Sequence, residues 1–254
     1  MHRRTLPLLA ALACPAIARA QGAAPVRVLG TGAVAASTRD LARDFTALTG
    51  RAIAFDNANA GVAARRLRDG EAVDLMLNSA AQVGRLVADG LLDGMTVREL
   101  GRMLIGVAVR DGAPRPDIGT EAALRAAILA APVIAHSDPA TGATAGTHAA
   151  RLIERLGIAE AMRARTLVFP GGNAAVQAVA DGRAALALSQ ISEIIAVPGA
   201  ALVGPLPEAA QLVTPYLGAI TARAANRDAA LSFLTFLTGP QGQARFRAAG
   251  FAVG

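Results

Sequence analysis

The sequence predicts an α/β protein, sheets flanked by helices, on three observations. Short runs of β-branched and aliphatic residues alternate with longer stretches whose apolar residues recur every three or four positions. Glycine, proline, asparagine and aspartate cluster at the joints between these segments. Hydrophobic residues make up 53% of the chain, mainly Ala, Leu and Val in short segments. Beyond the first twenty residues none of these segments reaches the roughly 20 residues of a membrane-spanning helix.

In chain order, a strand is expected at 26–29, then a helix at 34–48 with Leu41, Phe45 and Leu48 along one face. A strand at 52–55 and a helix at 60–67 follow, then a strand at 73–77 and a helix at 80–88 closed by Gly90. A longer strand at 103–109 runs into Asp111-Gly112-Ala113-Pro114-Arg115-Pro116, the clearest punctuation in the chain. The second series has helices at 121–130, 145–156 and 174–180 between strands at 132–135, 166–169 and 184–188. A strand at 216–222 and helices at 228–237 and 242–249 close the chain. The alternation implies a mostly parallel sheet, and a length of 254 residues accommodates two modest domains as readily as one large one.

The first twenty residues have a separate purpose. His2, Arg3 and Arg4 form a basic head, residues 5–17 an apolar run, and Ala18-Arg19-Ala20 a small-x-small site before Gln21. That is the layout of a secretory signal peptide, so residues 1–20 are expected to be cleaved after Ala20 on export to the periplasm. Arg3-Arg4 followed by Thr5-Leu6 leaves twin-arginine export open beside the general route. Cleavage removes Cys14, the only cysteine, leaving a mature chain without thiol or disulfide. It also leaves 22 basic against 19 acidic side chains. Such a modest excess is no nucleic-acid footprint, and with no Trp and one Tyr, platforms for stacking bases are scarce. Arg65-Arg66-Leu67-Arg68 reads as the solvated side of a helix.

Four loops share one design, a strand end followed by small or hydroxylated residues and a helix. They are Gly30-Thr31-Gly32-Ala33, Asn57-Ala58-Asn59-Ala60-Gly61, the segment from Asp138 to Gly146 with Thr144 and Ala145, and Pro170-Gly171-Gly172-Asn173. Small residues let a ligand approach the backbone, and the free N–H groups of a helix start attract an anion without a cationic side chain. In open α/β sheets such loops lie at the carboxyl ends of the strands, where ligands bind. Gly30-x-Gly32-x-x-Ala35 also matches a dinucleotide fingerprint, with Asp56 as its ribose-binding acid. An exported protein meets no soluble nicotinamide pool, so this reading ranks below anion binding, and no cofactor is expected. After the signal segment only His136 and His148 remain as histidines, without metal-ligand spacing, so no metal is expected. Ser137, Ser189 and Ser192 lack a nucleophile-elbow motif.

Residues 26–48, Ala64-Arg65-Arg66-Leu67 through Asp74-Leu75, and the closing segment from Phe233 through Thr238-Gly239-Pro240-Gln241-Gly242 to Gly250-Phe251 resemble periplasmic solute-binding proteins of the molybdate-binding type. The resemblance covers the mature chain. It implies a two-lobe periplasmic binding protein fold with two crossover hinge strands, at 103–109 and 216–222. Lobe 1 would comprise 21–107 plus 220–254, and lobe 2 would comprise 108–219. Carried over by position, the family's first ligand-binding Ser falls near Ala33 and its Ser-rich second loop at Asn59, Ala60 and Gly61. Its third helix start falls at Thr144, Ala145 and Gly146, its fourth loop near Asn173, and its ligand-binding Tyr at Gln190. Two side-chain hydroxyls are thus missing. Each hydrogen bond to a charged group is worth about 1.5–3 kcal/mol, so the pattern disfavours molybdate itself.

The segment Ser137-Asp138-Pro139 with Gly142 and Gly146, then Ser189-Gln190-Ile191-Ser192-Glu193-Ile194, resembles a divergent branch that includes an aconitate isomerase. The expected function is capture of a small anion, an oxyanion or short carboxylate, by a monomer that delivers it to the membrane permease of an ABC transporter. Isomerisation of a small tricarboxylate is the alternative. The expected ligand-binding residues are Thr31, Gly32, Ala33, Asn59, Ala60, Thr144, Ala145, Asn173 and Gln190. Proton transfer would fall to Glu193, His148 or His136, none singled out by its surroundings in sequence, and Glu193 reads first as a cap after a strand.

Overall fold

The computed structural model describes residues 24–253, so the expected signal segment, Cys14 and the expected cleavage junction after Ala20 lie outside the described residues. Two five-stranded sheets organise the chain. The first contains β1 (Val26–Thr31), β2 (Ile53–Ala58), β3 (Leu75–Ser79), β4 (Arg98–Met103) and β10 (Thr214–Ile220), in the order β2-β1-β3-β10-β4. The second contains β5 (Ile105–Arg110), β6 (Ile134–Ser137), β7 (Thr166–Phe169), β8 (Leu186–Gln190) and β9 (Ala200–Pro205), in the order β7-β6-β8-β5-β9.

In the first sheet β1 runs parallel to β2 and β3, with Val28 opposite Phe55 and Leu75. In the second β6 runs parallel to β7 and β8, with Ile134 opposite Thr166 and Leu186. The remaining ladders, β10 with β3 and β4 and β5 with β8 and β9, are antiparallel. The mostly parallel sheet expected from the alternation is therefore corrected to two mixed sheets. The reason is the path of the chain. It changes sheet at Leu104 and again across residues 206–213, and each time it enters the new sheet against the parallel strands. Leu104 splits the expected strand at 103–109 between the two sheets, and β10 belongs wholly to the first.

The helices are α1 (Gly32–Thr49), α2 (Ala60–Arg68), α3 (Ala80–Ala88), α4 (Glu121–Ala130), α5 (Thr144–Arg155), α6 (Ala159–Met162), α7 (Gly172–Ala180), α8 (Ile191–Ile195), α9 (Arg227–Thr238) and α10 (Pro240–Ala248). Spans α3 and α4 coincide with the sequence expectation. The starts of α1, α5 and α7 lie one or two residues earlier than expected, which brings Gly32, Thr144 and Gly172 into first turns. Two strands escape sequence reading. Strand β4, Arg-Glu-Leu-Gly-Arg-Met, is largely polar, and β9 is only half buried along an edge.

Each sheet buries both faces. On the first, Leu41 and Phe45 of α1 pack with Phe233 and Leu237 of α9 and Phe246 of α10, with the rings of Phe45 and Phe233 edge-on at 5.1 Å. On its other face lie Ala63, Ala64 and Leu67 of α2 and Val83 and Leu86 of α3. The second sheet packs Leu124, Ile128, Leu152 and Ile153 on one face, and Val176, Val179 and Ile194 on the other. Burial of each such side chain contributes about 1.5–3 kcal/mol. Asp74 ties the returning C-terminal segment to β1, accepting the backbone N–H of Arg27 and of Asn226, each at 2.9 Å. Burial pushes its carboxyl up, but these hydrogen bonds outweigh that and hold it below the usual carboxylate range.

Asp56, the acid of the dinucleotide reading, is engaged by Arg66 at 2.7 Å. The hydrogen bond from the guanidinium holds the carboxyl below its ordinary range. The Asp56 side chain is 65% exposed, so solvent screens the pair. We expect Asp56→Asn to cost less than about 1 kcal/mol in urea unfolding, with the difference vanishing at high salt.

Candidate functional site

The carboxyl ends of β1, β2, β6, β7 and β8 all lead to helix starts, directly or through a short turn. Those of α1, α2, α5, α7 and α8 face one another across the gap between the sheets. Their N-cap residues Thr31, Asn59, Ala143, Gly171 and Gln190 make no side-chain cap, unlike Thr120 of α4, whose hydroxyl accepts the N–H of Ala123. First-turn N–H groups at these helix starts thus lack a side-chain cap, and two of them find backbone partners instead, Gly61 N–H on Gly142 O and Ile191 N–H on Leu104 O. The cavity between them is closed down to about 20 Å³.

Thr31, Gly32 and Ala33 line it from α1, and Asn59 and Ala60 from α2. Thr144 and Ala145 line it from α5, and Gln190 from the end of β8. Eight of the nine residues expected from sequence thus share one cavity. Asn173 is not among the lining residues: α7 begins at Gly172, which takes that place, while Asn173 is exposed at the rim with its Oδ1 3.8 Å from where a Cβ on Gly32 would lie. Ser137, Ala143, Glu193 and Tyr216 complete the lining and lay outside the expected set. Tyr216 had a signal, being the chain's one tyrosine and lying at the start of an expected crossover strand.

No lining residue is cationic. Glu193 is buried, and its Oε2 accepts from Ser189 Oγ at 2.7 Å. Its carboxyl also takes the backbone N–H of Gln190, the capping role read from the sequence, so the cap and the cavity share one side chain. Burial pushes this carboxyl up, and it outweighs both hydrogen bonds. Gly32 and Gly172 make room for it. A Cβ on Gly32 would lie 2.3 Å from Oε1, and one on Gly172 would lie 1.9 Å from Oε2.

Gln190 Nε2 donates to the Tyr216 hydroxyl at 2.5 Å, while Gln190 Oε1 and Thr31 Oγ1 are buried without a hydrogen-bond partner. Burial, then the neighbouring Glu193, pushes the Tyr216 hydroxyl up, so it remains a neutral donor. The phenol that sequence reasoning counted as lost at position 190 is thus present in the cavity, delivered by β10. The histidines stand apart. His136 Nδ1 lies 2.9 Å from Ser137 O, and His148 Nε2 lies 2.8 Å from Ala210 O outside the cavity. Among the described residues, no group of three or more His, Cys, Asp and Glu is arranged to hold a metal ion.

The two sheets' halves meet around this cavity. Asn59 Nδ2 donates to Thr141 Oγ1 at 2.6 Å and to Pro170 O, and the Gly61 N–H reaches Gly142 O at 3.3 Å. Gly142 turns there with φ of +69°, a conformation that favours glycine.

Residues 26–252 match the family model of the bacterial extracellular solute-binding proteins. The chain belongs to that family. Among curated proteins, this solute-binding protein is 30% identical over 234 residues to an aconitate isomerase of a Pseudomonas species, covering 89% of this chain and 87% of the relative. Its fold is similar to that of the periplasmic molybdate-binding protein of Azotobacter vinelandii, with a TM-score of 0.77 at 19% identity, over 90% of this chain and 99% of the other. It is also similar to a sulfate-binding protein from Mycobacterium tuberculosis, with a TM-score of 0.71 at 18% identity, over 90% and 86% of the two chains. The α/β two-lobe periplasmic binding protein architecture is therefore that of this chain.

Proposed function

We propose that this solute-binding protein is exported, with cleavage after Ala20, and closes as a monomer on a small carboxylate that carries a hydrogen-bond donor of its own. It delivers that ligand to the permease of an ABC transporter. The observation that carries the ligand class is Gln190 Oε1, a buried acceptor without a partner inside a cradle of N–H donors. A fully ionised tetrahedral oxyanion satisfies the donors but offers that oxygen nothing. A hydroxy-acid or a half-protonated polycarboxylate supplies both, its carboxylate on the helix starts and its O–H on Gln190. Thr31, Gly32, Ala33, Asn59, Ala60, Thr144, Ala145 and Gln190 are the binding residues in this reading, with Tyr216 and Glu193 added.

A thermal-shift screen of molybdate, sulfate and a series of mono-, di- and tricarboxylates tests it. A ligand at 100 times its Kd adds about 2.7 kcal/mol of stability, a shift of several degrees. Carboxylates should raise the melting temperature, and a response confined to tetrahedral oxyanions would overturn the reading. With the responding carboxylate, Gln190→Ala should weaken binding by about 1–3 kcal/mol, read by titration calorimetry.

Glu193 favours a second reading, isomerisation of a small tricarboxylate, for which the Pseudomonas relative gives further support. Moving a proton between two carbons needs a group that takes it up and returns it, and a carboxyl lifted by burial is tuned for that. Incubation of cis-aconitate in D2O, followed by proton NMR, tests it. Interconversion with deuterium uptake that is lost in Glu193→Gln supports catalysis, and an unchanged substrate supports binding alone.

A further inference from the structure

Beside the cradle lies a larger groove of about 480 Å³, and the two share Ala60 and Thr144 as common wall. Both lobes build it. Ser79, Gln82 and Arg85 come from the end of β3 and from α3, and Thr147, His148 and Arg151 from α5. No Asp or Glu lines it. Arg85 and Arg151 are exposed, and among the described residues neither forms an ion pair or a side-chain hydrogen bond. This sets them apart from Arg66, Arg68, Arg155 and Arg183, each of which has an acidic partner. The carbonyl of Ala210 fixes a proton on His148 Nε2.

We propose that this groove is a second anion subsite, which takes the distal carboxylates of a di- or tricarboxylate whose first carboxylate occupies the cradle. The inference rests on the carboxylate reading of the cradle and goes on to name the ligand's size and charge. The cradle, at about 20 Å³, is too small to enclose a whole di- or tricarboxylate, so the remainder of a larger ligand must lie elsewhere. The groove is the adjoining space with room for it and with unpartnered guanidinium donors, whose planar forks match carboxylates. Arg85 and Arg151 belong to different lobes, so a polycarboxylate between them draws the lobes together. A monocarboxylate reaches neither.

The test is calorimetric titration of the mature protein with glycolate and with citrate at 0.15 M salt, where charge steering over long distances is largely screened. Arg85→Ala, Arg151→Ala and the double variant are compared with the unmodified protein. Citrate should bind at least tenfold more tightly than glycolate to the unmodified protein. Each single substitution should weaken citrate about fivefold to tenfold and leave glycolate within twofold. Both arginines are exposed, so melting temperatures should be unchanged. Equal losses for the two ligands, or citrate affinity indifferent to both arginines, would overturn the subsite. If glycolate binds and citrate does not, the subsite fails while the carboxylate cradle stands. If neither binds the unmodified protein, the cradle reading fails and takes the subsite with it.

Discussion

Gly61→Ala should weaken ligand binding roughly 100-fold while leaving the unliganded protein at least as stable as before. Gly61 lies in the first turns of α2, and on its outer side it meets the other lobe. A Cβ there would stand 2.8 Å from Thr141 O and 3.0 Å from Gly142 Cα. Both are backbone atoms in a tight turn, so no rotamer change relieves the contact. The lobes must stop short, which also stretches the hydrogen bonds from Asn59 to Thr141 and Pro170. Overpacking costs about 1–3 kcal/mol and each hydrogen bond about 0.5–1.5 kcal/mol, so a loss near 3 kcal/mol is expected. With the lobes apart the same methyl group faces solvent, and alanine is the better helix former by about 1 kcal/mol. Calorimetry for affinity, small-angle scattering for closure and thermal melting without ligand separate the effects. Unimpaired binding with full compaction would show that closure does not bring Gly61 against Gly142.

Replacing Glu193 by Gln should abolish a steep pH dependence of both binding and stability. In the folded protein, burial raises the carboxyl above its ordinary value of 4.5, so the native state holds this proton more tightly than the unfolded chain. The associated stability is complete below about pH 4.5 and is lost as pH rises through the folded value. Glutamine keeps the shape without ionising, so its melting temperature should exceed that of the unmodified protein at pH 8 and match it at pH 4. Binding follows the same logic. The cavity holds no cation, and Tyr216 is the other titratable group lining it. An anionic ligand beside an ionised Glu193 meets like charge, so capture favours the protonated form. The apparent Kd should rise about tenfold per pH unit above the folded pKa, and stay within about threefold in Glu193→Gln. Parallel pH curves for the two proteins would mean that Glu193 keeps one protonation state throughout.

The sequence by itself determined the α/β class, most helix spans and the chemistry of the cradle. These are local properties. Apolar spacing in α1 and α4, the glycine, threonine and asparagine residues before α1, α2 and α5, and the run from Phe233 to Phe251 are each legible over a few residues. Strands β4 and β9 were not, because one is mostly polar and the other half exposed, and pairing with β10 and β5 decides their state. The passage at Leu104 was hidden because Met103, the last residue of β4, continues the apolar run of β5, and only pairing assigns the two strands to different sheets. The site divides in the same way. Thr31, Asn59, Thr144 and Gln190 stand at strand ends or helix starts, where sequence points. Tyr216 comes from the middle of a strand 26 residues away from its partner Gln190, and Arg85 and Arg151 from helices of different lobes. The burial that turns Glu193 from a helix cap into an ionisable wall of the cavity depends on Gly32, which meets it from the other lobe, and on Gly172, which packs beside it within its own lobe. Propensity and capping act between neighbours in the chain, whereas desolvation and convergence depend on what the fold brings near, and that is where the tertiary structure decided.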